Sequence, residues 1–357
     1  MRLIHLSDLH ATTRRHSWDY DGRLRRHRTR SRERLALLAA FLHRRRAELA
    51  GAPVVITGDV TDRGDAAGHR LAAAFLAALR ADGYGVHVVP GNHDWFWKGN
   101  RGLDALHRRW AGAFDGSVGR GRRPAEQAPS TPAARFRELA GHPFPHAVDV
   151  PGGRLLLLDS LAGHRWEHSS DQLAQGRLGA AQLAWLEAQL TTYQPVRQGG
   201  RRLVVCLHHP PLHPVGPVAP SSPLRRDRWA GLREAEALLA ALSGRVDAVL
   251  FGHSTPVGVL HRHSAPAVAP ADEAYRTAGR DFAVPLLHCV NLEHAVLDGP
   301  GAHCPVPFID LDGAVLSVYD ACAPTAGPRV QPLGVAQAVG VAPADSRDEV
   351  CGRSRVG

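Results

Sequence analysis

The 357-residue chain is predicted to adopt an α/β fold. Two observations carry that expectation. Short apolar runs rich in Val, Ile or Leu alternate with stretches of helical periodicity. Most of the runs also stop at Gly, Asp, Asn or His, as buried strands do when they meet a loop. Composition agrees: 44% hydrophobic and 22% charged residues describe a globular chain and exclude a disordered or collagen-like one. The length fits one large domain or two small ones, with ample core.

In chain order, the runs Arg2–Ser7, Pro53–Thr57, Val86–Pro90, Arg154–Ser160, Leu203–Leu207 and Val246–Phe251 read as strands. Ser31 is placed to cap a helix carrying Leu35, Leu38, Leu42 and Leu49, with Arg44 to Arg46 on its wet side. Leu71–Leu79 belongs to a second helix. Ala180–Leu190 forms a third, with Leu183, Leu186 and Leu190 at helical spacing. Pro305–Tyr319 holds two strands around a turn at Asp312-Gly313. The polar stretches Gly116–Pro132 and Pro210–Pro223 read as surface loops. Residues 1–322 are expected to form the domain, and 323–357 an Ala/Pro/Gly-rich, poorly ordered tail.

The formal charge is +9, with only one lysine, Lys98, among the basic residues. Such an excess suits a nucleic-acid or membrane-surface partner. The arginine, alanine and glycine richness favours plain compositional bias instead. The five cysteines, Cys206, Cys289, Cys304, Cys322 and Cys351, include no CxxC pair, so free thiols in a reducing compartment are expected. No apolar run reaches membrane-span length, and the N-terminus opens on a strand-like run rather than a signal segment. The expectation is a cytoplasmic protein with no membrane partner.

Chemistry-bearing residues gather at the strand ends. The first strand ends in Ser7-Asp8-Leu9-His10, and the second in Gly58-Asp59-Val60-Thr61-Asp62-Arg63-Gly64. The third ends in Gly91-Asn92-His93-Asp94, and later ones in His208-His209-Pro210 and Gly252-His253. Ligands of open α/β sheets bind beyond the carboxyl ends of the strands. Carboxylates mixed with imidazoles suit Zn, Fe or Mn better than Mg alone. A shared carboxylate can bridge two ions about 3.5–4 Å apart, an arrangement used for phosphoester cleavage. Each piece alone is weak: Asp59 could cap a helix, and Asn92-His93-Asp94 could be a turn. Their conjunction, always after a strand, points to a metal site.

Asp8-x-His10, Gly58-Asp59-x-x-Asp62-Arg63-Gly64, Gly91-Asn92-His93-Asp94, His208-x-Pro210 and Gly252-His253 together resemble the calcineurin-like metallophosphoesterase superfamily, over roughly residues 1–320. Asp159-Ser160 and the Gln182–Leu190 helix are similar to its bacterial cyclic-nucleotide phosphodiesterase branch. The resemblance implies a four-layer α/β/β/α sandwich around two divalent ions, Mn, Fe or Zn. It implies Asp8 and His10 on the first metal, Asp59 bridging, and Asn92, His208 and His253 on the second. It also implies attack on phosphorus by a metal-bound hydroxide, with His93 beside the leaving oxygen and Asp62 orienting that histidine. Arg63 either pairs with phosphate oxygens or lies at the surface. Asp94 and His209 are candidates to support the ligands, with a solvent-facing loop as the alternative for His209. One departure stands out. The family pattern Gly-His-x-His places a first-metal histidine where this chain has Thr255. Water or another residue fills that place, His261 or His263 folds back, or the site works with fewer ions.

The implied substrate is a small anionic phosphoester, most simply a cyclic nucleotide or other small phosphodiester. A phosphomonoesterase or protein phosphatase is the alternative suggested by Asp62-Arg63-Gly64. A nuclease is a further alternative. It would use Arg23, Arg25, Arg26, Arg28, Arg30, Arg32 and Arg34, which otherwise read as a solvated helix start. A metal-poor non-enzyme is the reading that Thr255 motivates. The sequence does not set an oligomeric state.

Overall fold

The computed structural model describes residues 1–13, 17–18, 24–25, 31–95, 132–162, 175–211, 231–253, 282–293, 295, 297, 299, 301–333 and 337–339. It is a mixed α/β structure built on two six-stranded sheets. The strands are β1 (Arg2–Leu6), β2 (Ser17–Trp18), β3 (Leu24–Arg25), β4 (Val54–Thr57), β5 (Val86–Val89), β6 (His146–Val150) and β7 (Gly153–Leu157). They continue with β8 (Arg202–Cys206), β9 (Ala248–Phe251), β10 (Leu287–Val290), β11 (Pro305–Asp310), β12 (Val315–Asp320), β13 (Arg329–Pro332) and β14 (Gln337–Val339). The helices are α1 (Ser31–Arg45), α2 (Ala66–Ala81), α3 (Asn92–Trp95), α4 (Pro132–Ala140), α5 (Ala180–Gln198) and α6 (Ala235–Leu242).

The first sheet has the order β13-β12-β11-β1-β4-β5. Its β1, β4 and β5 are parallel, while β11 runs antiparallel beside β1. The second has the order β14-β10-β9-β8-β7-β6, parallel except for the hairpin partner β6. β2 and β3 form a separate two-stranded ribbon.

Strand alternation sorts side chains between apolar clusters. From the first sheet, Ile4, Leu6, Val54, Ile56, Val86 and Val88 pack against Leu38 and Leu42 of α1, Leu76 and Leu79 of α2, and Phe136 of α4. On its other face, Leu3, Val55, Val89 and Ile309 meet Leu155, Leu157, Val204 and Leu250 of the second sheet. The second sheet turns Leu156, Val205, Val249 and Phe251 toward Leu186 and Leu190 of α5 and Leu238 and Leu242 of α6. Both faces of the central strands are therefore buried, which is why their sequences read as continuous apolar runs.

The six strands expected first in the sequence are present, five within two residues of the expected bounds; the run expected over Arg154–Ser160 ends as a strand three residues earlier, at Leu157. α2 is longer than Leu71–Leu79 because Asp65 caps it, accepting the Gly68 N–H at 2.7 Å. α1 stops at Arg45, so Leu49 joins the core from the turn beyond it. β6 and β10 were not expected. Two strands from the stretch expected as a tail, β13 and β14, pair at the edges of the sheets. Residues 340–357, most of Gly116–Pro132 and most of Pro210–Pro223 lie outside the described residues. Among the described residues no helix is long and apolar enough to cross a membrane. Cys206, Cys289, Cys304 and Cys322 are free thiols.

Candidate metal centre

Beyond β1 and β4 the parallel ladder continues into the loops. The N–H groups of Asp8, His10 and Ala11 donate to the carbonyls of Gly58, Asp59 and Val60 at 3.0, 2.8 and 2.8 Å. Asp8, His10 and Asp59 are held at φ of 56°, 45° and 48°, and His253 at 65°. Non-glycine residues rarely adopt this left-handed region, and such strain gathers where side chains must be aimed. Here it turns four side chains from the ends of β1, β4 and β9 toward one point.

The aimed side chains form three overlapping groups: Asp8, His10 and Asp59; Asp59, His208 and His253; and His10, Asp62 and His93. The ligand atoms within each group lie within 4.8 Å of one another. Asp59 is common to the first two groups, and His10 to the first and third. His10 Nε2 is 3.9 Å from Asp8 Oδ1, 3.7 Å from Asp59 Oδ2 and 3.6 Å from Glu293 Oε2. His208 Nε2 is 3.4 Å from Asp59 Oδ2 and 3.1 Å from both Asn92 Oδ1 and His253 Nδ1.

These spacings fit a shared cation. Ligands bound at about 2.0–2.2 Å in a tetrahedral array stand roughly 3.3–3.6 Å from one another. The carboxylates around His10 Nε2 are beyond hydrogen-bond reach and close to that separation. The donor set is oxygen and imidazole nitrogen, which suits divalent transition metals. His208 is anchored behind: its Nδ1–H donates to the Thr57 carbonyl at 2.8 Å, so Nε2 is the nitrogen that faces the cluster. Burial pushes the His208 ring down, but the Asp59 charge outweighs it and raises His208 to about 9. Burial would raise Asp59 as well, yet the His208 and His93 imidazoles hold it well below the usual carboxylate range. For Asp8 burial wins, lifting it to about 6.

Glycine is required by proximity. A Cβ on Gly252 would stand 1.9 Å from Ser7 Oγ and 2.6 Å from Asp8 Oδ2, and one on Gly91 would stand 2.2 Å from Asp59 Oδ1. Close approach, not a left-handed backbone, requires glycine at both positions; neither has a positive φ.

His93 lies at the start of α3. Its backbone N–H donates to Asp59 Oδ1 at 2.8 Å, and its Nδ1–H to the Asp62 carbonyl at 2.9 Å. Asp62 therefore contacts this ring by its backbone, while its carboxylate sits 3.6 Å from His10 Nδ1 and 3.9 Å from His93 Nδ1. Arg63 is not a surface arginine. Its side chain is 8% exposed and its Nε reaches Asp62 Oδ2 at 3.4 Å.

Asp94 joins the two loops rather than the cluster. It accepts the N–H groups of Val60, Thr61 and Gly91 and the Thr61 hydroxyl, at 3.2, 2.7, 2.9 and 2.9 Å. Burial, and next the Asp59 charge, push it up to about 7. His209 is buried, not solvent-facing. Its Nδ1 is 2.8 Å from Ser160 Oγ, and its ring lies 4.5 Å from the His253 ring. Thr255, His261 and His263 lie outside the described residues.

Two residues of this neighbourhood escaped the sequence reading. Glu293 follows β10, and the run Leu286–Val290 ending in Asn291 carried the same strand-end signal as the others. Arg34 belongs to the basic run that reads in sequence as either a solvated helix start or a substrate-lining stretch. It is instead 1% exposed, and it donates to the carbonyls of Leu9 and, at 3.4 Å, Glu293. Of that run only Arg32 and Arg34 have described side chains, and Arg32 is exposed.

Comparison with known proteins defines the class. The model of the calcineurin-like phosphoesterase family matches residues 1–256, and the chain belongs to that family. It is a hydrolase acting on phosphoric esters. Among solved structures, a dimetal phosphatase from Danio rerio is similar in fold, with a TM-score of 0.53 and 16% identity over 94% of this chain and 99% of that one. A purple acid phosphatase from yellow lupin (Lupinus luteus) seeds gives a TM-score of 0.44 and 13% identity, over 95% of this chain and 54% of that one. No curated protein matches the chain.

Proposed function

We propose that the chain is a phosphodiesterase working with two divalent ions on a cyclic nucleotide or another small phosphodiester. The observation that carries the metal centre is the pair of donor groups joined at Asp59. Asp8 and His10 would hold the first ion, Asn92, His208 and His253 the second, and Asp59 both. When bound, such a pair activates water and neutralises charge developing on the phosphoryl oxygens.

The chain's own groups do the rest. The Asp62 carbonyl keeps His93 protonated at Nδ1, which leaves Nε2 to carry a proton to the departing oxygen. Arg63 offers a guanidinium fork to phosphate oxygens. Asp94 holds the Asp59 and Asn92 loops in register. His209 and Ser160 brace the His253 ring. The paired sheets with helices on their outer clusters support the four-layer sandwich, and the free thiols support a cytoplasmic setting. Mn, Fe and Zn all suit the donor set.

Asp62 and the buried Arg63 favour a second reading, a phosphomonoesterase, because a terminal phosphate presents more oxygens to an arginine. Turnover of bis-p-nitrophenyl phosphate against p-nitrophenyl phosphate by the metal-loaded protein separates the two. Faster diester cleavage is expected; equal or faster monoester cleavage would overturn the diesterase assignment.

A further inference from the structure

We propose that Glu293 is a ligand of the first metal, standing in for the histidine that Thr255 replaces, and that it makes this site select a hard ion such as Mn²⁺. The inference rests on the two-metal reading above and concerns which residues complete it.

His10 Nε2 is ringed by three carboxylates at nearly equal distances: Asp8 at 3.9 Å, Asp59 at 3.7 Å and Glu293 at 3.6 Å. None is a hydrogen bond; Asp8, His10 and Asp59 already lie within 4.8 Å of one another, and Glu293 approaches this group from the His10 side, so its side chain has to swing toward Asp8 and Asp59 to share their ion. Glu293 is brought there by construction. β10 runs parallel to β9 and ends beside it, so the residues after β10 emerge next to Gly252-His253. The Leu292 N–H donates to the Ser7 carbonyl at 3.2 Å, which ties this segment to the Asp8 loop. Asn291 Oδ1 accepts the Glu293 N–H at 2.9 Å and shapes the turn. Arg34 then joins the Leu9 and Glu293 carbonyls, locking the loop of His10 to the loop of Glu293. The Glu293 side chain is 13% exposed, so its carboxylate is withdrawn from bulk water into the cluster.

The substitution changes the chemistry of the site. With a histidine the first ion would have two imidazoles and two carboxylates; with Glu293 it has one imidazole and three carboxylates. Carboxylate-rich sets suit Mn²⁺ and Mg²⁺, whereas imidazole favours Zn²⁺. The second site, with His208 and His253, keeps its nitrogen character. The two positions would therefore differ in metal preference.

The test uses the full chain, stripped with chelator and titrated with Mn²⁺ or Zn²⁺ by calorimetry, with elemental analysis of the dialysed protein. Wild type is expected to bind two Mn²⁺. Glu293→Gln should keep one site and weaken the other by more than about 10- to 100-fold, the loss already expected when only a group behind a ligand is removed. Glu293→His should keep two sites and move one from Mn²⁺ toward Zn²⁺. Two Mn²⁺ bound by Glu293→Gln with wild-type affinity would overturn the assignment while leaving the two-metal reading intact. If Glu293→Gln fails to fold by circular dichroism, an unchanged Mn²⁺-to-Zn²⁺ preference in Glu293→His overturns it equally. A wild-type chain that binds neither ion would instead overturn the two-metal reading, and the inference with it.

Discussion

The two sheets deliver their functional groups by different means. The first sheet supplies Asp8, His10, Asp59, Asn92 and His93 from loops that hold one another, through the extended β1–β4 ladder and the four bonds to Asp94. The second supplies His208, His253 and Glu293, and each leans on the first. The His208 ring donates to Thr57, the His253 N–H donates to Asp8 Oδ2 at 3.0 Å, and Glu293 is tied through Leu292 and Arg34. A buried pair reinforces the junction, with His5 Nδ1 and His288 Nδ1 2.6 Å apart across the sheets. Burial pushes both rings down, His288 to about 3, so one neutral ring donates to the other. The first sheet's half is thus self-supporting, while each group of the second sheet's half rests on bonds to the first.

The largest break in this comparison is Asp59→Ala, which removes the group common to both halves. Loss of both ions and at least a 10³-fold fall in turnover are expected, the scale of losing central transition-state stabilisation. Elemental analysis beside an activity assay checks both outcomes. His93→Ala comes next: metal content should stay at the wild-type level while kcat falls about 10²–10⁴-fold, as for a lost general acid.

Asp94→Asn acts on the self-supporting half alone. One carboxylate oxygen that accepts N–H groups becomes a donor, so a loss of about 1–3 kcal/mol on chemical unfolding is expected. Activity should drop roughly 10- to 100-fold, as for a group that supports metal ligands. Arg34→Met acts on the junction. It should weaken metal binding more than it lowers the melting temperature, and the reverse order would contradict the clamp role.

The smallest effect is a control far from the centre. Asp320, like Asp94, accepts several donors. Burial would raise it, but the N–H groups of Cys304 and Cys322 and the His303 ring outweigh that and hold it below its ordinary 3.8. A lowered carboxylate stabilises the fold fully above its unfolded value and loses that as pH falls through its folded value. Asp320→Asn should therefore lower the melting temperature at pH 7, with the gap closing in strong acid, and leave metal content unchanged.

Much of this was legible in the sequence because parallel strands buried on both faces are continuous apolar runs. The loops after β1, β4, β5, β8 and β9 were legible for the same reason: a run stops where the polar candidate ligands begin. β10 was missed although Leu287–Val290 is such a run, because it follows a long stretch without periodicity. Glu293 was missed with it. Arg34 was misread because one-dimensional charge clustering cannot distinguish a solvated arginine from one buried on backbone carbonyls. The left-handed φ at Asp8, His10, Asp59 and His253 is likewise invisible in composition, since none of these is a glycine.

The central claim is that two ions sit between two unlike halves. The direct measurement is metal stoichiometry of the full chain, reconstituted with Mn²⁺ and dialysed, set beside its phosphodiester turnover before and after chelation. The account predicts two ions per chain, and turnover that disappears on chelation and returns with added metal. Full turnover by a chain stripped of metal would contradict it.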